Sequence, residues 1–164
     1  MKLSSFLATL ALASLSMSSY AAAVAVKWQD FNKYRDVYPS NQAKGSYHKY
    51  VAEQFEKHLN KLAEQLPSGY TLTVNFDDVD LAGDVHYGIQ ELRIIKPIHF
   101  PRLTISYELK DAAGKVLLTE QQKVLKDMAF MDRSRLGTDS AFYYDKRLLT
   151  EWFNDTVVPA SKAG

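Results

Sequence analysis

From Tyr47 to Gly69 the stretch YHKYVAEQFEKHLNKLAEQLPSG repeats its apolar residues every three or four positions, and from Tyr70 the stretch YTLTVNF repeats them every two. That change of period narrows the fold more than any other feature. A 3.6-residue repeat docks a helix by one stripe, whereas a two-residue repeat lays one face of a strand on a core. At about 100° per residue Val51, Phe55, Leu59, Leu62 and Leu66 fall within an arc of roughly 80°, with Glu53, Glu56, Lys57, Asn60, Lys61 and Glu64 opposite. Ser46 is a candidate N-cap, and Pro67 with Gly69 stops the helix. His48 and His58 project near the stripe, where a histidine acts as a hydrogen-bonded packing residue.

In the strand that follows, Leu72, Val74 and Phe76 share one face, but Val79 and Leu81 fall on the opposite parity. One inserted residue explains the slip, so a β-bulge is predicted at Asp77–Asp78. RLTISYELKDAAGKVLLTEQQKVL predicts a hairpin: Leu103, Ile105, Tyr107 and Leu109 line one face, DAAGK turns, and Val116 and Leu118 begin the return. Pro97 and Pro101 forbid a central strand across ELRIIKPIHFP. Upstream, VAVKWQ alternates as a strand, and DFNKYRDVYPSNQAKGS is a long loop carrying Phe31, Tyr34 and Tyr38. Downstream, a second docked helix starts from Asp139 or Ser140, buries Phe142, Leu148, Leu149, Trp152, Phe153 and Val157, and ends before Pro159. The expected architecture over residues 24–164 is a single α+β domain, an antiparallel sheet of about four or five strands with two amphipathic helices on one face.

Residues 1–23 read as a signal peptide: Lys2, an apolar run from Leu3 to Leu15, then small residues ending in Ala21, Ala22 and Ala23. Cleavage is expected after Ala23, with Ala21 as the alternative, which implies a soluble periplasmic protein. The run is too short and serine-rich for an anchor, and no later segment reaches the ~18 apolar residues of a membrane span. Loss of Lys2 from 20 basic residues balances 19 acidic ones, so the mature chain is neutral. It lacks the basic patch of a nucleic-acid binder or an anionic-membrane binder. With no cysteine, disulfides, thiol chemistry and a lipid-modified cysteine are excluded. A chain of this length buries enough apolar surface to stand without them.

DDVDLAGD is the most metal-like stretch, but it fails as a calcium loop. Counting from Asp78 puts Ala82 at the fifth ligand position and Ile89 at the twelfth; counting from Asp80 recovers Glu91 but loses the glycine. An Asp-rich turn satisfies its own backbone amides without a metal, so no metal and no cofactor is expected. Carboxylates for acid–base work could come from Asp77, Asp80, Asp84 and Glu91 with His86 or His99. No G-x-S-x-G, H-E-x-x-H, P-loop or G-x-G-x-x-G is present.

The stretch KDMAFMDR, residues 126–133, fits neither period. Methionine suits an adaptable contact surface and equally fills irregular gaps in a core. Because the stretch joins a hairpin to a helix that must fold back over the sheet, a corner anchored by buried Phe130 and one methionine is the better expectation, with Asp132 and Arg133 near the surface. WQDFNKYRDV, DVDLAGDV, RIIKPIHFPRLTISYELKDAAGKVL and LKDMAFMDR, in this order, resemble a bacterial family described only as a domain of unknown function, number three-zero-one-six. The resemblance spans about residues 24–157 and makes KDMAFMDR a family hallmark. It implies a signal peptide in a Gram-negative bacterium and a periplasmic location, and it carries no activity, so it assigns no catalytic residue. The functional expectation is a non-enzymatic envelope protein that binds a protein or small ligand through Tyr34, Asp80, Asp84, Met128, Phe130, Met131, Asp132 and Arg133. The rival is a small hydrolase using Asp80, Asp84 and His86. Such an enzyme would need two carboxylates, or a carboxylate and His86, together in a concave pocket.

Overall fold

A computed structural model describes residues 21–132 and 140–163. The expectations placed on residues 1–20, Arg133 and Asp139 lie outside the described residues. The elements are β1 (Ala23–Trp28), a 3-10 turn (Phe31–Lys33), α1 (Lys44–Ala63), β2 (Thr71–Asp80), β3 (Asp84–His86), β4 (Leu92–Ile94), β5 (Arg102–Lys110), β6 (Val116–Lys126), α2 (Tyr143–Trp152), a π-helical turn (Phe153–Val157) and α3 (Val158–Ala163). One sheet has the order β1-β2-β5-β6, and β3 with β4 forms a separate two-stranded ribbon. The fold is α+β, as the alternation of periods implies.

The sheet is mixed, which the expected antiparallel arrangement did not include: β1 runs parallel to β2, from Ala23 opposite Thr71 to Trp28 opposite Phe76. The cause is the connection. A helix between two neighbouring strands returns the chain to its starting end and leaves them parallel. The remaining pairs are antiparallel, and the β2–β5 register shifts between Phe76 and Asp78, where the parity slip predicted a bulge. A second irregularity lies in β6 opposite Ser106, where Gln122 adopts φ 55° and its N–H donates to Ser106 Oγ at 3.1 Å.

Leu72, Val74 and Phe76 of β2 face the same way as Leu103, Ile105, Tyr107 and Leu109 of β5, and both sets are buried with the stripes of α1 and α2 in one cluster. Trp28 stacks on Phe76 at 4.3 Å, Phe55 of α1 approaches Phe76 at 5.7 Å, and Tyr107 meets Trp152 of α2 edge-on at 4.8 Å. Each buried ring among them, Phe55, Phe76, Tyr107 and Trp152, contributes about 1.5–3 kcal/mol, and Trp28, half-buried, less. The opposite face carries Lys27, Thr73, Asn75, Ser106, Glu108, Thr119 and Gln121 around an open depression, as in sheets solvated on one side.

Three helix boundaries differ from expectation: α2 begins at Tyr143 with Phe142, at φ 57°, in the cap position, so Ser140 does not cap it. Ser46 lies inside α1, whose cap position is Ala43 with no side-chain bond. The last helix does not end before Pro159. At the π-turn the Val158 N–H bonds the Phe153 carbonyl, five residues back, and Pro159, which has no N–H to pair, continues into α3.

Candidate functional site

The pairing of Asp80 with Arg102 and of Arg102 with Lys126 puts the ends of β2, β5 and β6 in one row. Past that row lie the excursion 81–101 and the corner 127–132, so one end of the sheet gathers most of the sequence-predicted residues.

The excursion is fastened at its root. Asp36 bridges Asp80, with the Asp36 N–H donating to the Val79 carbonyl at 3.0 Å and the Leu81 N–H to the Asp36 carbonyl at 3.1 Å. Arg93 of β4 reaches back and grips the Asp36 carboxylate with two bonds, 2.9 and 2.8 Å, while also donating to the carbonyls of Gly83 at 2.9 Å and Tyr38 at 3.1 Å. Both side chains are only 14% exposed, so this fork is a largely buried ion pair whose donors meet several acceptors. Gly83 has φ +83°, and a Cβ there would stand 2.7 Å from the Ile94 carbonyl; glycine lets β3 turn beneath β4. Asp145 of α2 accepts the Ala82 N–H at 3.0 Å. Burial pushes its carboxyl up to about 7, against the lowering effect of that N–H.

Asp80 is half-buried in this network. Burial, and then the like charge of Asp36, raise its pKa, and Arg35, 3.9 Å away, pulls the other way. Asp78 accepts the N–H groups of Arg35 and Val79, both at 2.9 Å, so this part of DDVDLAGD satisfies backbone amides. Among the described residues no group of three histidine or acidic side chains could hold a metal ion. Asp84 is exposed, with His99 Nε2 at 4.0 Å. Asp84, His86 and His99 share a hollow of about 20 Å³, room for one water, while ligand pockets are about 300 Å³ or more.

KDMAFMDR divides between the two readings. Phe130 is fully buried, its ring edge-on to Tyr144 at 4.7 Å. Arg147 Nη2 donates to Asp127 Oδ2 at 2.7 Å and to the Phe130 carbonyl at 2.9 Å, and Asp127 Oδ1 accepts the Ala129 N–H at 3.0 Å. Both methionines, unlike the one expected to pack, are exposed: Met128 at 65% and Met131 at 42%. A turn pinned from within by Phe130 and Arg147 leaves its flanking side chains outside. Asp132 is also exposed.

Tyr34 does not belong to a contact surface. It is buried, its hydroxyl donating to the Phe76 carbonyl at 2.9 Å and accepting the Gln29 N–H at 2.7 Å. A loop aromatic that can satisfy its hydroxyl inside is more stable under the core than in water.

The exposed apolar residues of the excursion were missed in the sequence. Tyr87 is 69% exposed, Ile89 108%, Leu92 51% and Ile98 74%, with Ile94 and Ile95 also exposed. Their signal was a surplus: a proline-broken stretch with more large apolar residues than any strand assigned to it could bury. The buried acid had a signal too, since Asp145 sits at helical spacing with Leu148, Leu149 and Trp152 on the docked stripe.

No helix among the described residues is long and apolar enough to cross a membrane. No curated protein and no solved structure matches the chain. A family model described as "Protein of unknown function (DUF3016)" matches residues 22–155, which takes in both the fastened excursion and the pinned corner; the chain belongs to that family.

Proposed function

We propose that this is a soluble periplasmic protein of the Gram-negative cell envelope, exported through residues 1–23, which acts by binding a partner protein rather than by catalysis. The observation that carries the reading is the set of exposed apolar side chains, Tyr87, Ile89, Leu92 and Ile98, on an excursion rooted by a buried ion pair. Large apolar side chains exposed together on one short excursion are of the kind that marks interaction sites, and a rigid root reduces the entropy lost on binding. Met128, Met131, Asp84 and Asp132 flank it at the same end of the sheet, and adaptable methionines suit a contact of this type. The hollow shared by Asp84, His86 and His99, where His99 Nε2 lies 4.0 Å from Asp84, is about 20 Å³, which supports binding over catalysis there.

Two measurements test the proposal. The chain released with the periplasm should have the intact mass of a protein starting at or near Val24; a dominant species retaining Met1 would overturn the location. A photo-crosslinking amino acid at Ile89 or Ile98 should give one discrete protein adduct in cells, and the same group at Lys110, at the far end of β5, should give none. No adduct from either isoleucine, or the same adducts from all three positions, would remove the binding reading.

A further inference from the structure

On the helical side of the molecule α1 and α2 leave a hollow of about 420 Å³ between them. It is lined by His58 and Lys61 of α1, by Ser140, and by Tyr143, Lys146, Arg147 and Thr150 of α2. Its size falls within the range of small-molecule sites. Its charge is one-sided: among the described lining residues there are three cations and no carboxylate. Arg147 is committed to Asp127 at 2.7 Å. Lys146 is not neutralised in that way, because its Nζ donates at 2.8 Å to the Gln54 amide oxygen, a neutral acceptor. Among the described residues no ion pair involves Lys61.

The polar groups beside the lysines are held in place. Thr150 Oγ1 donates to the Lys146 carbonyl at 3.0 Å, and His58 Nε2 donates to the same carbonyl at 3.0 Å and to Thr150 Oγ1 at 2.8 Å. The His58 proton is thereby assigned to Nε2 when the ring is neutral, and Nδ1 is the unprotonated nitrogen. Burial lowers the Lys146 pKa and Lys57 nearby lowers it further, outweighing the opposite pull of Asp145; His58 is lowered by burial and then by Lys146. A partly desolvated ammonium among like charges costs stability in the empty protein, and an anion removes that cost.

We infer that the hollow between α1 and α2 binds a phosphate group, with Lys146 and Lys61 as its charged ligands. Two lysines supply point charges that suit a phosphate, and the volume exceeds that of the ion, so the ligand carries a body beside Tyr143. Such a phosphate could be presented on a soluble ester or on a lipid headgroup. The inference is independent of the excursion surface, and neither test depends on the other.

Glycerol 3-phosphate, titrated calorimetrically into the protein starting at Val24, tests the soluble source, and vesicles with and without phosphatidylglycerol test the lipid source. Saturable binding of either probe is expected, weakened about tenfold or more by Lys146→Met and by Lys61→Gln, since each removes a charge-assisted contact. Lys27→Gln, on the opposite face of the sheet, should leave it unchanged. In phosphate-free buffer Lys146→Met should also melt no lower than the parent, a result that separates lost binding from lost folding. Absence of saturation by both probes up to about 10 mM, or an equal loss in Lys27→Gln, would overturn the assignment.

Discussion

Replacing Asp145 with asparagine gives the sharpest test of the network under the excursion. Asp145 is 2% exposed, and its carboxyl stands at about 7 against an ordinary value of 3.8. Between those two values the unfolded chain has released its proton while the folded protein keeps it. The stabilising contribution of this group is therefore fully present below pH 3.8 and is lost as pH rises through about 7. Roughly three units at about 1.36 kcal/mol each give a loss on the order of 4 kcal/mol, with no discount for solvent screening in so buried a group. Asparagine keeps an oxygen for the Ala82 N–H and cannot ionise. Its extra N–H groups carry a cost of their own, but that cost is the same at every pH. The variant minus wild-type stability, from urea unfolding at several pH values between about 4 and 8.5, should rise by about 3–4 kcal/mol, nearly all of it before pH 7.5. His48 and His58 titrate in both proteins and cancel in the difference. A difference that stays flat within about 1 kcal/mol would refute a buried carboxyl displaced by desolvation.

Phe130→Ser should cost about 3–5 kcal/mol by opening a cavity under Tyr144, whereas Met131→Gln should stay within about 0.5 kcal/mol; chemical denaturation of both decides whether the corner is anchored as described. Arg93→Met leaves the Asp36 carboxylate buried without its partner and should destabilise by about 3–5 kcal/mol; the double variant with Asp36→Asn should recover part of that, and no recovery would contradict direct pairing. Calcium or magnesium at about 1 mM should leave the melting temperature unchanged, because a native-state ligand at a hundredfold excess over Kd would add about 2.7 kcal/mol; a rise that vanishes on Asp80→Ala would overturn the turn-only reading of DDVDLAGD.

What the sequence makes legible follows from what is local. The α1 stripe, the β5–β6 hairpin and the bulge after Phe76 are each set by side chains within a few positions, so period and parity suffice to place them. The direction of β1 is not local, because a strand's alternation is the same whichever way its partner runs. The Asp36–Arg93 fork joins residues 57 positions apart, and no spacing rule brings them together. Tyr34 misleads for a related reason: loop aromatics read as exposed until a distant carbonyl, here that of Phe76, is seen to take the hydroxyl. For KDMAFMDR, composition shows that something must be anchored, and the pairing of Arg147 with the Phe130 carbonyl decides which side chain goes in.

The parallel pairing of β1 with β2 also orders events in time. β2, β5 and β6 meet one another in antiparallel register, with β5 and β6 joined by a tight turn, whereas β1 can pair only after the chain has closed a loop containing all of α1. Loop closure costs entropy before its contacts are made, so β1 docks late. It is also an edge strand with a single neighbour. The same geometry makes it the part of the sheet that opens most readily, and its backbone amides exchange with solvent ahead of those in β5 at the centre.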